Sequence, residues 1–474
     1  MEEIHHMDRN ARDVVAMERK VSDVAFKNVN NTLVEASNQT NLKWPLIIFT
    51  ILSLLGFVGF SIKVFVEGFG SQQWGYHAAL VAFLLSSIQS APMVAIAPRV
   101  AKAHWRRSTS RIAEIFGLLG IVNLLLFIPL MWILPSLADG RRSLWFYDAL
   151  EGVSPYSPHI WAILAIVVLA FLGVFYLWLS LLPDFAILRD HSKIGTVRKK
   201  IFKFLSGRWW GSSSNWYMHK HRLGIVGAHY FMLLVFVHFL YAMDFCMSLV
   251  PGWIDALFPI THAANALQAG VAVFIVAMYI IYRFGGYREY IGLDQFWALS
   301  RLLFALSLLW FWFWFSSFII LWYGGKPSER FVLELLMAGP YIYIFIPVFI
   351  LNFAGPLLIM MWNAVRKSIL GPTIVAIGVL IGTMLDRVRL YVGAYSVSTE
   401  PDKYALHSVP NTIWPQFSSD VLLWIGSISA VILLYLMVAK LIPLVNIAEQ
   451  KELLLYKLHK EFHRTKVMVL GKPE

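Results

Sequence analysis

A single cysteine, Cys246, stands in a chain of 474 residues. With one sulfur to offer, the chain cannot close an internal disulfide, build a cysteine zinc site, ligate its own iron–sulfur cluster or attach haem through a C-x-x-C-H segment. Charge is scarce as well: 14% of the residues are Asp, Glu, Lys or Arg and 58% are hydrophobic, whereas about a quarter of a soluble domain is charged. No Walker A, G-x-S-x-G or H-E-x-x-H pattern occurs, so phosphate, acyl-transfer and zinc-peptidase chemistry have no support in the sequence. Period-2 alternation is absent, which excludes a transmembrane barrel. No strong internal repeat is present, and that argues against a transporter built from inverted halves.

What the chain has in abundance is long apolar runs. Ten of them, at 45–66, 76–98, 112–136, 160–183, 223–246, 263–282, 298–323, 338–362, 369–395 and 419–443, approach or exceed the roughly 20 residues that span a hydrocarbon core as helix. Backbone groups in lipid must pair within their own segment, so each run is expected to be a helix. The sequence therefore predicts an all-α integral membrane protein of about ten transmembrane helices. It divides into a tail at 1–44, a membrane domain at 45–443 and a second tail at 444–474.

The net charge of +12 is topological, not a sign of nucleic-acid binding. If the N-terminus lies inside, segments 1–44, 99–111, 184–222, 283–297, 364–368 and 444–474 hold 30 of the 40 Lys and Arg residues. The outer loops then hold seven: Arg141, Arg142, Lys326, Arg330, Arg387, Arg389 and Lys403. The positive-inside rule places both termini in the cytoplasm and the chain in the cell's inner (cytoplasmic) membrane. Arg198, Lys199, Lys200 and Lys203 mark 193–222 as a loop at the lipid headgroups. The first 44 residues lack an apolar core and a cleavage site, so they read as a cytoplasmic tail with a short helix over Ala11–Phe26, not a signal peptide. Glu449–Lys466 reads as an interfacial amphipathic helix.

Histidine could still ligate b-type haem. His229 and His238 share the fifth span, but nine residues at about 100° each set them on opposite faces. His77 is the other histidine in a span. The remaining polar residues gather toward the outer side: His238 and Asp244 in the fifth span, His262, Asn265 and Gln268 opening the sixth, and Asp386 with Arg387 and Arg389 in the ninth. The loop joining spans five and six is short, so their polar groups can converge. His238 and Asp244 are about 9 Å and 120° apart on an ideal helix, close enough to line one cavity without touching. Asp244 reads equally as a proton-exchanging carboxyl and as a capped helix end. Asp386 beside its arginines reads first as an ion pair at the outer edge, and otherwise, with Arg387, as a proton path. Gln89, with Ser86 and Ser90, gives the second span a polar patch suited to interhelical hydrogen bonds. Pro92, Pro98, Pro340, Pro347 and Pro356 can kink their helices, and the aromatic run Trp310–Phe315 suits a lipid-facing or packing surface.

Five stretches taken together resemble the NrfD family, the polysulfide reductase membrane subunits, and above all its longer members in alternative complex III. They are HWRRSTSRIAE at 104–114, WLSLLPDFAILRD at 178–190, HFLYAMDFCMSLVPGW at 238–253 followed by Phe258 and Pro259, WYGGKPSERF at 322–331 and IGTMLDRVRL at 381–390. The resemblance implies two four-helix bundles, spans two to five and six to nine, with flanking first and last helices. It implies a membrane subunit of a quinol-oxidising respiratory complex that binds quinol in its outer half, with His238 and Asp244 as acid–base groups and Gln89, His262 and Asn265 as further quinol-binding positions. Asp386 and Arg387 match a Glu-Arg pair of the family. No redox cofactor is expected in the chain itself. An iron–sulfur subunit, multihaem cytochrome c subunits and a second NrfD-like membrane subunit are the expected partners.

Three departures accompany these matches. Gln89 stands where quinol-oxidising members carry a histidine, Ser317 where the seventh span usually has a glutamate, and Ile254 where a histidine follows P-G-W. They open a second reading, a scaffold or proton-path subunit beside a catalytic paralogue. A transporter or channel is the third.

Overall fold

The computed structural model describes residues 29, 33, 42–134, 143, 157–190, 195–398, 402, 405–462 and 465–470. The expected helix over Ala11–Phe26 lies outside the described residues.

The apolar runs fold as helices, and among the described residues eight of these are long and apolar enough to cross a bilayer. They are α1 (Lys43–Glu67), α4 (Ser110–Trp132), α5 (Ser157–Asp190), α7 (Ser213–Asp244), α8 (Phe258–Phe284), α9 (Leu293–Gly324), α10 (Ile342–Met360) and α12 (Phe417–Leu441). Two further runs complete the ten. One is broken into α2 (Gly75–Ser87) and α3 (Met93–Val100), and the other, α11 (Leu370–Ser396), carries Asp386, Arg387 and Arg389. These two segments pack on each other through α2 and α11. A basic amphipathic helix, α6 (Thr196–Ser206), joins α5 to α7. The chain is a multi-pass integral membrane protein. The α7–α8 turn marks the upper end of the molecule, and the opposite end is the lower.

Two four-helix bundles are visible. α2 and α3 group with α4, α5 and α7, and α8 groups with α9, α10 and α11, while α2 against α8 and α11 joins the halves. α1 and α12 form a flanking pair whose backbones meet at Gly56 and Gly426. A Cβ added to Gly56 would sit 2.4 Å from the Gly426 Cα, so only glycine allows this approach. At its upper end the pair is tied by the Lys63 ammonium, fully buried and 2.6 Å from the Asp420 carboxylate.

Two expectations need correction. Arg387 and Arg389, counted by charge among the outer loops, are buried inside α11. Their carboxylate and carbonyl partners make that burial possible, and seven less two leaves five basic residues for the upper loops. The C-terminal segment is not one amphipathic helix to Lys466. It forms a ten-residue helix, α13 (Ile447–Tyr456), followed by an antiparallel hairpin of β1 (Lys457–Phe462) and β2 (Thr465–Leu470) with Lys457 opposite Leu470. Thr465, Val467 and Val469 alternate at period 2, a β-branched pattern that favours strand over helix.

The charges of the first two family-like stretches have a structural use. Arg99 lies 2.9 Å from both Glu114 and Glu449, Arg106 lies 2.8 Å from Glu449, and Arg111 lies 2.8 Å from Asp184. Asp184 also accepts the backbone N–H groups of Ile447 and Ala448 at 3.3 and 3.4 Å. This network clamps α13 across the lower end of the first bundle.

Candidate functional site

The site begins with the break in the second span. Pro92 has no N–H to give, so the helical ladder fails between Ser87 and Met93 and frees backbone and side-chain groups at mid-membrane depth. They find partners on neighbouring helices. The Gln89 carbonyl accepts the Tyr230 hydroxyl at 2.5 Å, and its side-chain oxygen accepts the Asn123 amide at 2.6 Å. Interhelical bonding is therefore what Gln89 does here, as its sequence setting suggested. α8 comes close to the break at Gly270, where a Cβ would meet the Ser90 backbone at 2.8 Å.

From the break upward runs a line of four hydrogen-bonding side chains, one from the break itself and three from neighbouring helices. Tyr391 Oη of α11 lies 3.0 Å from His262 Nε2 of α8, and His262 Nδ1 lies 3.1 Å from His238 Nδ1 of α7. His238 Nε2 in turn lies 3.4 Å from Ser90 Oγ. All four residues are buried. Two Nδ1 atoms can share a hydrogen bond only when one carries the proton and the other does not, so the pair has two tautomeric arrangements that interconvert by shifting protons along the line. A separation of 3.1 Å is too short for the two nitrogens to stand on opposite faces of one haem, where two bonds of about 2 Å would hold them about 4 Å apart. His229 faces outward, away from His238, as the helical spacing requires, and His77 bonds to the Leu126 carbonyl at 2.7 Å.

Next to His262 lies the α11 cluster. Arg387 donates from Nε and Nη2 to Ser86 Oγ at 3.1 and 3.0 Å and from Nη2 to the His262 carbonyl at 3.3 Å. Its Nη1 lies 3.3 Å from Asp386, whose other oxygen takes Arg389 Nη2 at 2.5 Å. Arg389 Nη1 reaches the Leu336 carbonyl at 2.7 Å. The ion pair expected of this trio is present, and it is buried within the protein, with Arg387 1% exposed and Asp386 3%. Adjacent helices supply enough acceptors to hold the charges inside.

His262, Asp386, Arg387 and Arg389 line one small cavity of about 40 Å³ together with Trp253, Trp310 and Trp314. The aromatic run thus divides its roles. Trp310 is buried at the cavity, while Trp312 is exposed on the lipid-facing surface. Asp255 also lines the cavity, and sequence reasoning passed over it because it lies in the short turn between spans. Its Oδ1 caps α8 through the Leu257 and Phe258 N–H groups at 2.9 and 3.3 Å, and its Oδ2 accepts the Ser317 hydroxyl. Gly252, at φ +77°, makes the turn in P-G-W that brings Trp253 and Asp255 to the cavity. With Asp255 counted, two carboxylates and two guanidinium groups line this space.

The other residues singled out from the sequence lie apart from the cavity. His238 reaches it only through His262. Asp244 is buried near the upper end of α7 and takes the Ser143 hydroxyl at 2.9 Å. Asn265 belongs to a polar patch deeper in the second bundle, where its amide reaches Gln268 at 3.2 Å and Thr383 at 3.4 Å, and Gln268 donates to Ser307 and to the Asn352 carbonyl, both at 2.8 Å.

A family model described as polysulphide reductase, NrfD, matches residues 66–399. No curated protein matches the chain.

Proposed function

Since the chain belongs to the polysulphide reductase NrfD family, we propose that it is the membrane subunit of a quinone-linked respiratory oxidoreductase and that quinol is oxidised at the cavity beside His262. The observation that carries this reading is the convergence of His262, Asp255 and Arg387 on one cavity walled by tryptophan. Oxidation of a quinol releases two electrons and two protons. The ring therefore needs a hydrogen-bond acceptor for each hydroxyl and a cation for the developing oxyanion. Asp255 is the acceptor nearest the upper surface, and Ser317 orients it. His262 accepts on the deeper side through Nε2, exchanging its Tyr391 partner for the ring hydroxyl, and passes its Nδ1 proton to His238, while Arg387 steadies charge on the ring oxygen. Asp244, above His238, serves as an exit carboxylate, and Asp386 with Arg387 sets the field around the ring.

In this proposal the electrons leave one at a time to an iron–sulfur subunit docked on the upper face, from which multihaem cytochrome c subunits take them. A second NrfD-like subunit sits alongside in the membrane. The chain holds no redox group of its own, and both termini lie in the cytoplasm with the upper end outside the inner membrane, the orientation that the basic residues favour.

A second reading has an observation in its favour. The cavity has room for a few water molecules but not for a quinone ring, and its arginines already have partners within the protein. A scaffold with a water-filled proton path through Asp386 and Arg387 would look the same. Photolabelling with an azido-quinone separates the two readings. The proposal expects labelled peptides spanning 253–262 and 384–391, protected by excess quinone, and unlabelled bundles in an otherwise active complex would favour the scaffold.

A further inference from the structure

The lower end of the first bundle carries a second cavity, far from the histidine line. It encloses about 340 Å³ between the end of α5, the loop after α6 and the first turns of α7. Its polar lining is one-signed: Arg208, Arg222, His219, Ser214 and Asn215 contribute, and no carboxylate does. His219 is 7% exposed, packs edge-on against Trp209 and Trp216, and leaves its Nδ1 buried without a hydrogen-bond partner. An imidazole nitrogen buried at a cavity wall without a partner costs free energy unless something fills the cavity and bonds to it. The first turn of α7 lies at the same wall. There Ser212 accepts the Asn215 N–H at 3.2 Å, and Ser214 and Asn215 of the helix's first turn, its positive end, line the cavity.

The surroundings identify the medium. α6 exposes Val197, Ile201 and Phe204, and Trp210 and Tyr217 extend this apolar surface. The same helix carries Arg198, Lys199, Lys200 and Lys203. Exposed aromatic and aliphatic side chains interleaved with basic ones are the signature of a segment lying at the boundary between acyl chains and headgroups. A cavity that opens beside such a segment, lined by cations and by hydrogen-bond donors, matches a phosphate group attached to a lipid.

We propose that this cavity binds the headgroup phosphate of an anionic phospholipid. Arg208 and Arg222 neutralise the phosphate, Ser214 and the α7 N-terminus donate to its oxygens, and His219 Nδ1 donates from below. The acyl chains lie against Phe204 and Trp210. Lipid held here would fix α6 to α7 and, through Lys220, 3.1 Å from Glu452, would steady the clamp on α13.

The test is native mass spectrometry of the full-length protein in detergent, titrated with phosphatidylglycerol or with phosphatidylcholine. Wild type should retain phosphatidylglycerol in preference to phosphatidylcholine. Arg208→Ala/Arg222→Ala should weaken that retention about tenfold or more, given the usual contribution of a basic residue near a charged headgroup. Both side chains are exposed, so this variant should fold. His219→Phe should weaken retention while keeping the aromatic packing. Arg288→Ala, an exposed arginine at the same end outside the cavity, should change nothing. Equal loss in the Arg288 variant would overturn the proposal by reducing the preference to general surface charge. Displacement of phosphatidylglycerol by millimolar inorganic phosphate would overturn the lipid assignment and make the cavity a site for the free anion.

Discussion

Ser317 donates its hydroxyl to Asp255, joining the upper part of α9 to the turn before α8. The relatives that this chain resembles are expected to carry a glutamate at position 317 and a histidine at 254. Here serine and isoleucine occupy those positions, and the carboxylate arrives from the next residue instead. A carboxylate thus remains at the cavity although both expected residues are gone. Ser317→Ala should therefore be mild, lowering quinol-dependent turnover by less than about tenfold. Removal of one oriented hydrogen bond costs on the order of 1 kcal/mol. Steady-state reduction of the partner cofactors by quinol checks this.

Asp244 provides a contrast. It is bonded to Ser143 and does not line the cavity, so Asp244→Asn should slow proton release without abolishing quinol binding. The expected outcome is a lowered kcat with KM for quinol nearly unchanged. A raised KM would assign Asp244 to the quinol pocket itself.

The α13 clamp is sensitive to acid. Burial alone would raise the Glu449 carboxyl, but Arg99, Arg106 and the Ser110 hydroxyl outweigh it and hold the group at about 2, against 4.5 for a free glutamate. A carboxylate held down in the folded state contributes stability that is complete above its unfolded value and is lost as pH falls through the folded one. The clamp should hold from neutral pH to about 4.5 and loosen progressively toward pH 2. Amide-exchange protection of 447–453, measured across that range, should follow this course. Glu449→Gln should remove most of the pH dependence.

The Lys63–Asp420 pair offers a stability test. Asp420→Asn leaves the buried ammonium with Glu67, 3.2 Å away, as its remaining carboxylate. Breaking one side of a buried pair typically costs about 3–5 kcal/mol, and sharing with Glu67 places the expected loss at the lower end. Thermal unfolding in detergent should show it, and Lys63→Met/Asp420→Leu should recover most of the loss.

The helices were legible because lipid imposes one rule on every segment: pair the backbone internally and face outward with apolar side chains. Phe57, Leu125 and Trp312 obey it visibly, each exposed on the helical surface. The site was legible only in part. His238 and His262 could be placed on the same side, since a short turn joins their helices, but their 3.1 Å contact depends on the rotation of both helices, which spacing within either one does not determine. The Asp386 ion pair was legible but its burial was not, because the further partners, Ser86 and the carbonyls of His262 and Leu336, come from three other segments. Asp255 was passed over for a different reason. A carboxylate in a turn looks solvated until the surrounding tryptophans are in place.

The account rests on quinol oxidation at the cavity, and Asp255 is the residue whose removal tests it most directly. In the assembled complex, Asp255→Asn keeps the shape and the Ser317 contact but removes the proton acceptor. Quinol-dependent reduction of the partner cofactors should fall by about 10²-fold or more, the scale set by a positioned acid–base group, while complex assembly and cofactor spectra are retained. Full quinol-dependent activity in an intact Asp255→Asn complex would contradict the account.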